Sequence, residues 1–166
     1  MIRIAAVDPT SIRLDLADEA DTVALGAALA KLLRPDDVVG LVGTLGAGKT
    51  RLSRAVAEAL GVDPGAIASP TFVLIHEYEG TALRIYHFDA YRLDDADAFD
   101  AIGAPDYWAA GDGACLVEWA DLVADRLPAD AWWVRIAAAA ESGGRAVAVE
   151  HPDPARLARL VTVLAG

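Results

Sequence analysis

Residues 43–50 carry the feature that most restricts the folds open to this chain. They read Gly-Thr-Leu-Gly-Ala-Gly-Lys-Thr and match the phosphate-loop pattern G-x-x-x-x-G-K-[ST] in full. An unbroken apolar run, Val38–Val42, precedes them, as is typical of a strand covered on both faces. A helical segment over residues 49–60 follows and stops at Gly61, a residue type suited to a helix end. Strand, loop and helix together predict an α/β domain.

Each part of this segment has a chemical reason to be there. Glycines let backbone N–H groups turn inward towards phosphate oxygens, and the following helix points its positive end at the same anion. Lys49 is expected to reach the β- and γ-phosphates, and the Thr50 hydroxyl to ligate Mg²⁺. A chance match in a chain of this length is on the order of one in a hundred. The predicted nucleotide contacts are Gly43, Thr44, Leu45, Gly46, Ala47, Gly48, Lys49, Thr50 and Arg51.

The composition narrows the class of protein further. The net charge is −11 and the lysines are Lys31 and Lys49, whereas a chain that grips nucleic acid by itself usually carries a basic face. Any work on RNA is therefore expected to go through a partner, although the acidity could also serve only solubility. The guanine-reading N-K-x-D element is absent, which favours ATP. No apolar run reaches the roughly 18 residues of a membrane span, no secretory segment is evident, and Cys115 is the only cysteine, so a cytoplasmic location is expected.

Hydrophobic periodicity predicts elements on both sides of the loop. No repeat or linker divides the sequence, so one domain over residues 1–166 is expected. The order of elements predicts a three-layer P-loop NTPase-like α/β fold, with a mixed, mainly parallel central sheet and helices on both faces. The predicted strands are Ser11–Leu16 as the first, then 38–42, 72–79, 82–89, 114–119, Trp132–Ala138 and 146–150. The predicted helices are 22–33, capped by Asp21, then 49–60, 96–102 and one after Pro154.

Two predicted strands end in acids that a phosphate loop could use. Asp89 ends one and Glu118 the other, and either could hold Mg²⁺ while the second positions water. A hydroxyl in residues 69–72, Ser-Pro-Thr-Phe, could sense the γ-phosphate, or the segment could be a plain turn. His76 and His87 are interpreted as structural, although His87 could orient Asp89.

These pieces together resemble the TsaE (YjeE) family of P-loop ATPases of tRNA threonylcarbamoyladenosine biosynthesis. The resemblance extends from about Asp18 to Arg135 and is carried by residues 25–29, 43–50, 69–72, 86–93 and 116–119. The combination of S-P-T-F, H-x-D-x-Y-R-L and E-W in this order is far more specific than the phosphate loop alone. The region after Arg135 matches poorly, so the last helix inherits no role.

The resemblance implies an ATPase with low activity by itself that works with transferase partners similar to TsaD and TsaB. The product would be threonylcarbamoylated adenosine beside the anticodon, with tRNA reached only through the partners. It further implies that Thr50 and Glu118 ligate Mg²⁺ and that Lys49, Thr71 and Asp89 take part in hydrolysis. Glu19 and Gly144 would border the nucleotide.

The chain departs from the family's pattern at one position of the phosphate loop. The family usually has aspartate after the first loop glycine, where this chain has Thr44, which puts a role of that position in hydrolysis or partner contact in doubt.

Two alternative functions share the phosphate loop. A small-molecule P-loop kinase needs an acceptor pocket and an arginine-bearing lid, and Arg84 and Arg92 are candidate arginines without an obvious lid between them. A module that binds nucleotide only as an assembly signal would not need Asp89, Glu118 and Thr71.

Overall fold

The computed structural model describes residues 1–67, 74–93, 96–139 and 144–166. Within these ranges, eight strands form one mixed sheet in the order β1-β2-β8-β7-β3-β6-β5-β4. The strands are β1 Arg3–Asp8, β2 Ser11–Leu16, β3 Val38–Val42, β4 Ile75–Glu79, β5 Arg84–Asp89, β6 Gly113–Glu118, β7 Trp132–Ala138 and β8 Arg145–Glu150.

The helices cover both faces of this sheet, as predicted. They are α1 Glu19–Ala30, α2 Lys49–Ala59, α3 Ala96–Ala101, α4 Ala104–Tyr107 and α5 Pro154–Ala165, with 3₁₀ helices at Ala90–Arg92 and Ala120–Arg126. Leucines of α1, α2 and α5 share one core cluster with Val39 and Leu116. Phe99 of α3 and Ala104 of α4 share the opposite cluster with Val38 and Val117. Successive residues of β3 and β6 thus enter different cores, which explains why both strands are apolar without alternation. Among the described residues, no helix is both long and apolar enough to cross a membrane.

The parallel pairings are confined to the centre of the sheet. Strand β3 pairs in parallel with β6 and β7, and β5 pairs in parallel with β6. The other pairings between described strands, β1–β2, β2–β8, β7–β8 and β4–β5, are antiparallel. The expectation of a mainly parallel sheet is therefore correct only for the central strands. Short hairpin connections at both edges force antiparallel neighbours, because parallel strands require a longer crossover.

The beginning of the chain differs from its prediction. Ser11–Leu16 is the second strand, because β1 precedes it as an edge strand whose four central residues are all apolar, so its sequence shows no alternation of polar and apolar residues. The cap of α1 is Asp18, whose carboxylate accepts the Asp21 N–H at 3.0 Å, while Asp21 accepts the Ala17 N–H at 2.8 Å. The helix begins at Glu19 rather than at Thr22, because Asp18 caps the Asp21 N–H of the first turn and Asp21 holds the N–H of Ala17, the residue before the cap.

Candidate nucleotide and metal site

The phosphate loop joins the end of β3 to the start of α2. Gly46 and Gly48 have φ angles of +77° and +113°, in the left-handed region that favours glycine. An added Cβ atom at either position would meet nothing within 4 Å. The backbone conformation, not packing, requires glycine here, and the space beside the loop is open, as an anion cradle needs to be.

Lys49 lies folded across this loop and is only 5% exposed. Its ammonium donates to the carbonyl oxygens of Gly43 at 2.6 Å and Thr44 at 3.0 Å, and lies 3.7 Å from the centroid of the Trp119 ring. Burial lowers the pKa of Lys49, and the charges of three nearby carboxylates act in the opposite direction. These carboxylates belong to Glu118, Asp121 and Asp89. The loop thus holds a desolvated cation where phosphate oxygens would bind.

Thr50, Glu118 and His87 form a chain of hydrogen bonds beside the loop. Thr50 Oγ1 donates to Glu118 Oε2 at 2.8 Å, and His87 Nε2 lies 2.7 Å from Glu118 Oε1. The side chains of His87 and Glu118 are each 4% exposed. Burial by itself would raise the pKa of Glu118, but the hydrogen bonds from His87 and Thr50 outweigh it and hold this pKa below its ordinary value. The carboxylate therefore stays ionised beside the loop threonine.

Asp89 reaches the same edge of the sheet by another route. Strands β5 and β6 run in parallel with Asp89 in register with Glu118, so both acids stand at strand ends next to the loop. Asp89 Oδ1 accepts the Tyr91 N–H at 3.1 Å and caps the 3₁₀ helix that follows. Of the two acids, Glu118 is the one that contacts Thr50, which settles the geometry that the sequence left open.

A second depression adjoins the loop on the side of α1. This pocket of about 290 Å³ is lined by loop residues together with Glu19, Arg51, Gly144 and Arg145. Arg51 Nε contacts Glu19 Oε1 at 2.6 Å, and Arg145 Nε donates to the carbonyl oxygen of Ala47 at 2.9 Å. The two residues expected to border the nucleotide, Glu19 and Gly144, thus lie in one pocket with the loop.

The family model described as "Threonylcarbamoyl adenosine biosynthesis protein TsaE" matches residues 16–147. The chain belongs to the TsaE family. The match continues past Arg135, where the resemblance was expected to end, through β7 and into β8, and leaves α5 outside it.

Individual members of the TsaE family agree with this assignment. The tRNA threonylcarbamoyladenosine biosynthesis protein TsaE of Bacillus subtilis is 42% identical over 108 residues, which are 65% of this chain and 66% of that protein. The protein of the same name from Aquifex aeolicus is 43% identical over 105 residues, 63% of this chain and 73% of that one. The crystal structure of Bacillus subtilis YdiB matches with a TM-score of 0.71 and 30% identity, over 99% of this chain and 96% of that chain.

Some predicted residues of this TsaE-family chain meet at the site, and one lies outside the described ranges. The loop residues, Asp89 and Glu118 stand around one edge of the sheet, with Glu19 and Gly144 in the adjoining pocket. Thr71, with the rest of residues 69–72, falls outside the described residues, so its predicted role stays a prediction.

Sequence reasoning missed two residues at this edge. His87 was expected to be structural or to orient Asp89, but it contacts Glu118 instead. The parallel pairing of β5 with β6 brings the two together, and a single sequence does not show that pairing. Arg145 gave no signal by itself, because one arginine after a glycine turn is common on any surface.

Proposed function

We propose that this TsaE-family chain is an ATP-binding, weakly hydrolysing subunit required for threonylcarbamoylation of the adenosine next to the anticodon in tRNA. It acts with transferase partners similar to TsaD and TsaB, and in the cytoplasm. The observation that carries the proposal is the contact between Thr50 of a complete phosphate loop and the buried, ionised Glu118. Membership of the family supplies the biosynthetic context.

The loop supports the nucleotide part of this proposal. Its backbone N–H groups and the start of α2 would receive the phosphates, and Lys49 would exchange its contacts with the Gly43 and Thr44 carbonyls for phosphate oxygens. The pocket with Glu19, Gly144 and Arg145 is continuous with loop residues and would take the nucleoside. The sequence lacks the guanine-reading N-K-x-D element, which favours ATP over GTP as the nucleotide.

The Thr50 and Glu118 oxygens fit a magnesium ion. The described residues contain no cluster of three His, Cys, Asp or Glu side chains that could hold a metal alone. Mg²⁺ in phosphoryl-transfer sites needs no such cage, since it takes one or two protein oxygens, phosphate oxygens and water. The two oxygens are 2.8 Å apart, close to the separation of about 3.0 Å expected for neighbouring ligands of Mg²⁺ with bonds of about 2.1 Å.

The chain's own groups divide the hydrolytic work in this proposal. Bound Mg²⁺ would neutralise charge on the phosphates. Lys49 stabilises the same charge from the other side, and His87 fixes the orientation of the Glu118 carboxylate. Asp89 has one oxygen committed to the Tyr91 N–H and stands beside Glu118, so it is placed to orient a water molecule.

The surface around the site favours a protein partner over direct contact with tRNA. Large apolar side chains stand exposed around Trp119: Leu45 is 86% exposed, Tyr91 61% and Leu122 50%. Leu45 lines the same depression as Trp119, and the ring of Tyr91 lies against the Trp119 ring. The Leu122 N–H donates to the carbonyl oxygen of Trp119. Clustered apolar exposure marks protein contacts, and a net charge of −11 disfavours a phosphate backbone.

The deciding experiment replaces the loop lysine in a reconstituted modification reaction. Lys49→Ala should abolish threonylcarbamoylation of tRNA by the purified chain with its transferase partners. The matched control is Lys31→Ala, since Lys31 is the chain's other lysine and stands exposed at the end of α1. Full modification with Lys49→Ala would overturn the proposed mechanism.

The position of Arg84, one of its two candidate arginines, disfavours the kinase alternative, whereas the second candidate, Arg92, lies in the 3₁₀ helix directly after Asp89 and leaves it open. Arg84 lies at the beginning of β5, at the opposite end of that strand from Asp89, and pairs with Glu79 and Asp112. A metabolite scan that found one good phosphate acceptor would nevertheless restore this alternative. The binding-module alternative is separated by single-turnover hydrolysis, where an unchanged rate for Asp89→Ala at equal ATP affinity would favour it.

A further inference from the structure

The ring of Trp119 lies against the loop lysine in the nucleotide-free chain. The Lys49 ammonium is 3.7 Å from the ring centroid, and its other contacts are the carbonyl oxygens of Gly43 and Thr44. An aromatic face attracts an ammonium, and the attraction grows when water is excluded. Lys49 is 5% exposed, so this contact belongs to the stronger kind.

The backbone conformation of Trp119 is unfavourable for a bulky residue, which indicates that the side chain at this position has a role. Its φ and ψ are 58° and 39°, a left-handed conformation that crowds the Cβ atom of a bulky residue. Glycine would adopt the same backbone without strain. Trp119 also directly follows Glu118 and precedes the 3₁₀ helix Ala120–Arg126, so the ring is anchored beside the proposed metal ligand.

A second ring supports the first. The centroids of Tyr91 and Trp119 are 4.7 Å apart. The Tyr91 N–H is bonded to Asp89, so the backbone that carries this ring is held by the strand-end acid. A chain of contacts therefore runs from Tyr91 through Trp119 to Lys49.

We propose that Trp119 is a positioning residue, whose ring, braced by Tyr91, holds the Lys49 ammonium across the phosphate loop before nucleotide binds. The loop cation is thereby pre-organised, and phosphate oxygens meet it without an ordering cost for a long, flexible side chain. The contact itself is independent of the proposed function, whereas its effect on ATP affinity rests on that function.

A double-mutant cycle in the nucleotide-free protein tests the contact directly. Lys49→Met, Trp119→Leu and the double variant are unfolded with urea. A cation–π contact predicts that their effects on the unfolding equilibrium constant depart from additivity by about twofold to thirtyfold. The control cycle uses Trp133→Leu, because the ring of Trp133 packs near Arg135 and not near Lys49. That cycle should be additive.

A second experiment measures the affinity for Mg·ATP in variants that keep or lose the aromatic ring at positions 119 and 91. Trp119→Phe keeps an aromatic face and should bind Mg·ATP within about threefold of wild type. Trp119→Leu keeps apolar bulk without the face and should weaken binding about tenfold. Tyr91→Ala should weaken it about threefold, and Tyr91→Phe, which keeps the ring, should weaken it less than Tyr91→Ala does. Thermal melting of each variant confirms that it is folded.

The outcomes separate the contact from the function. Additive effects of Lys49→Met and Trp119→Leu would overturn the proposal, and so would equal ATP affinity of the Leu and Phe variants. Non-additivity with the predicted order of affinities would support it. If wild type bound no Mg·ATP, the proposed function would fail, while non-additivity would still establish that Trp119 positions Lys49.

Discussion

Replacing His87 by leucine tests how Glu118 is kept ionised in the interior. His87 Nε2 lies 2.7 Å from Glu118 Oε1, and both side chains are 4% exposed. The substitution removes this partner and leaves Thr50 Oγ1, which donates to Glu118 Oε2 at 2.8 Å, with the Ser53 hydroxyl beside the same carboxylate. Leucine has a similar bulk, so the change acts mainly on hydrogen bonding rather than on packing.

The expected magnitude follows from that single contact. A hydrogen bond to a charged group contributes roughly 1.5–3 kcal/mol. The added apolar surface of a buried leucine offsets up to about 1 kcal/mol of that loss. We therefore expect the free energy of unfolding to fall by about 1–2 kcal/mol at neutral pH, a change of about five- to thirtyfold in the unfolding equilibrium constant.

The assay is urea unfolding of the nucleotide-free chain, with His87→Gln as the matched control. Glutamine is more polar than leucine but keeps an N–H donor that can reach the carboxylate. We expect His87→Gln to be the more stable variant by about 1 kcal/mol. A second readout is the Mg²⁺ concentration needed for half-maximal ATP binding, which should rise in the leucine variant because the metal-side carboxylate loses its fixed orientation.

The relative stability of the leucine and glutamine variants shows whether His87 acts through its hydrogen bond or through packing. If apolar packing were the main role of His87, leucine would be tolerated better than glutamine. A leucine variant as stable as the glutamine variant, with unchanged Mg²⁺ dependence, would refute the reasoning.

Three further perturbations concern other contacts of the described chain. Arg145→Met removes the hydrogen bond to the Ala47 carbonyl oxygen. Calorimetric titration should show ATP binding weakened about tenfold, while the melting temperature changes little. An unchanged ATP affinity would exclude Arg145 from the site. Asp37→Ala removes the carboxylate partner of the Arg156 guanidinium, which keeps its bond to the Leu32 carbonyl oxygen, at a contact where both side chains are 12% exposed. Urea unfolding should show a loss of about 3 kcal/mol in the free energy of unfolding, against less than about 1 kcal/mol for Arg135→Met at an exposed ion pair. Burial and the charge of Arg156 lower the pKa of His151, so the unfolded chain binds its proton first and stability should decline as the pH falls below about 6.5. Denaturation of His151→Gln from pH 8 to 5.5 should show a shallower decline, and an equal slope would contradict the assignment.

The local features of the loop could be read from the sequence because they depend on short-range chemistry. The match at residues 43–50 predicted the strand before it and the helix after it, whereas the left-handed backbone of Gly46 and Gly48 is seen only in the structure. Strand-end acids were also visible, since an apolar run that stops at Asp89 or Glu118 needs no tertiary information. The ordered motifs beyond the loop led to the TsaE family, to which the chain belongs.

The start of α1 and the edges of the sheet were less accessible. Asp18 and Asp21 are both suitable caps in the sequence, and only the reciprocal hydrogen bonds show which residue begins the helix. Strand β1 gave almost no periodic signal, because its four central residues, Ile-Ala-Ala-Val, are all apolar although only Ile4 and Ala6 among them are partly buried.

The sequence by itself determined which residue types reach the phosphate loop, and the tertiary structure decided which of them act on one another. Parallel pairing of β5 with β6 sets His87 against Glu118 rather than Asp89. Parallel pairing of β3 with β6 brings Glu118 to Thr50 at the start of α2. The left-handed turn at Trp119 sets a ring over Lys49 that adjacency to Glu118 did not reveal. Such contacts join residues far apart in the chain, and their energies depend on burial and orientation that only the packed sheet creates.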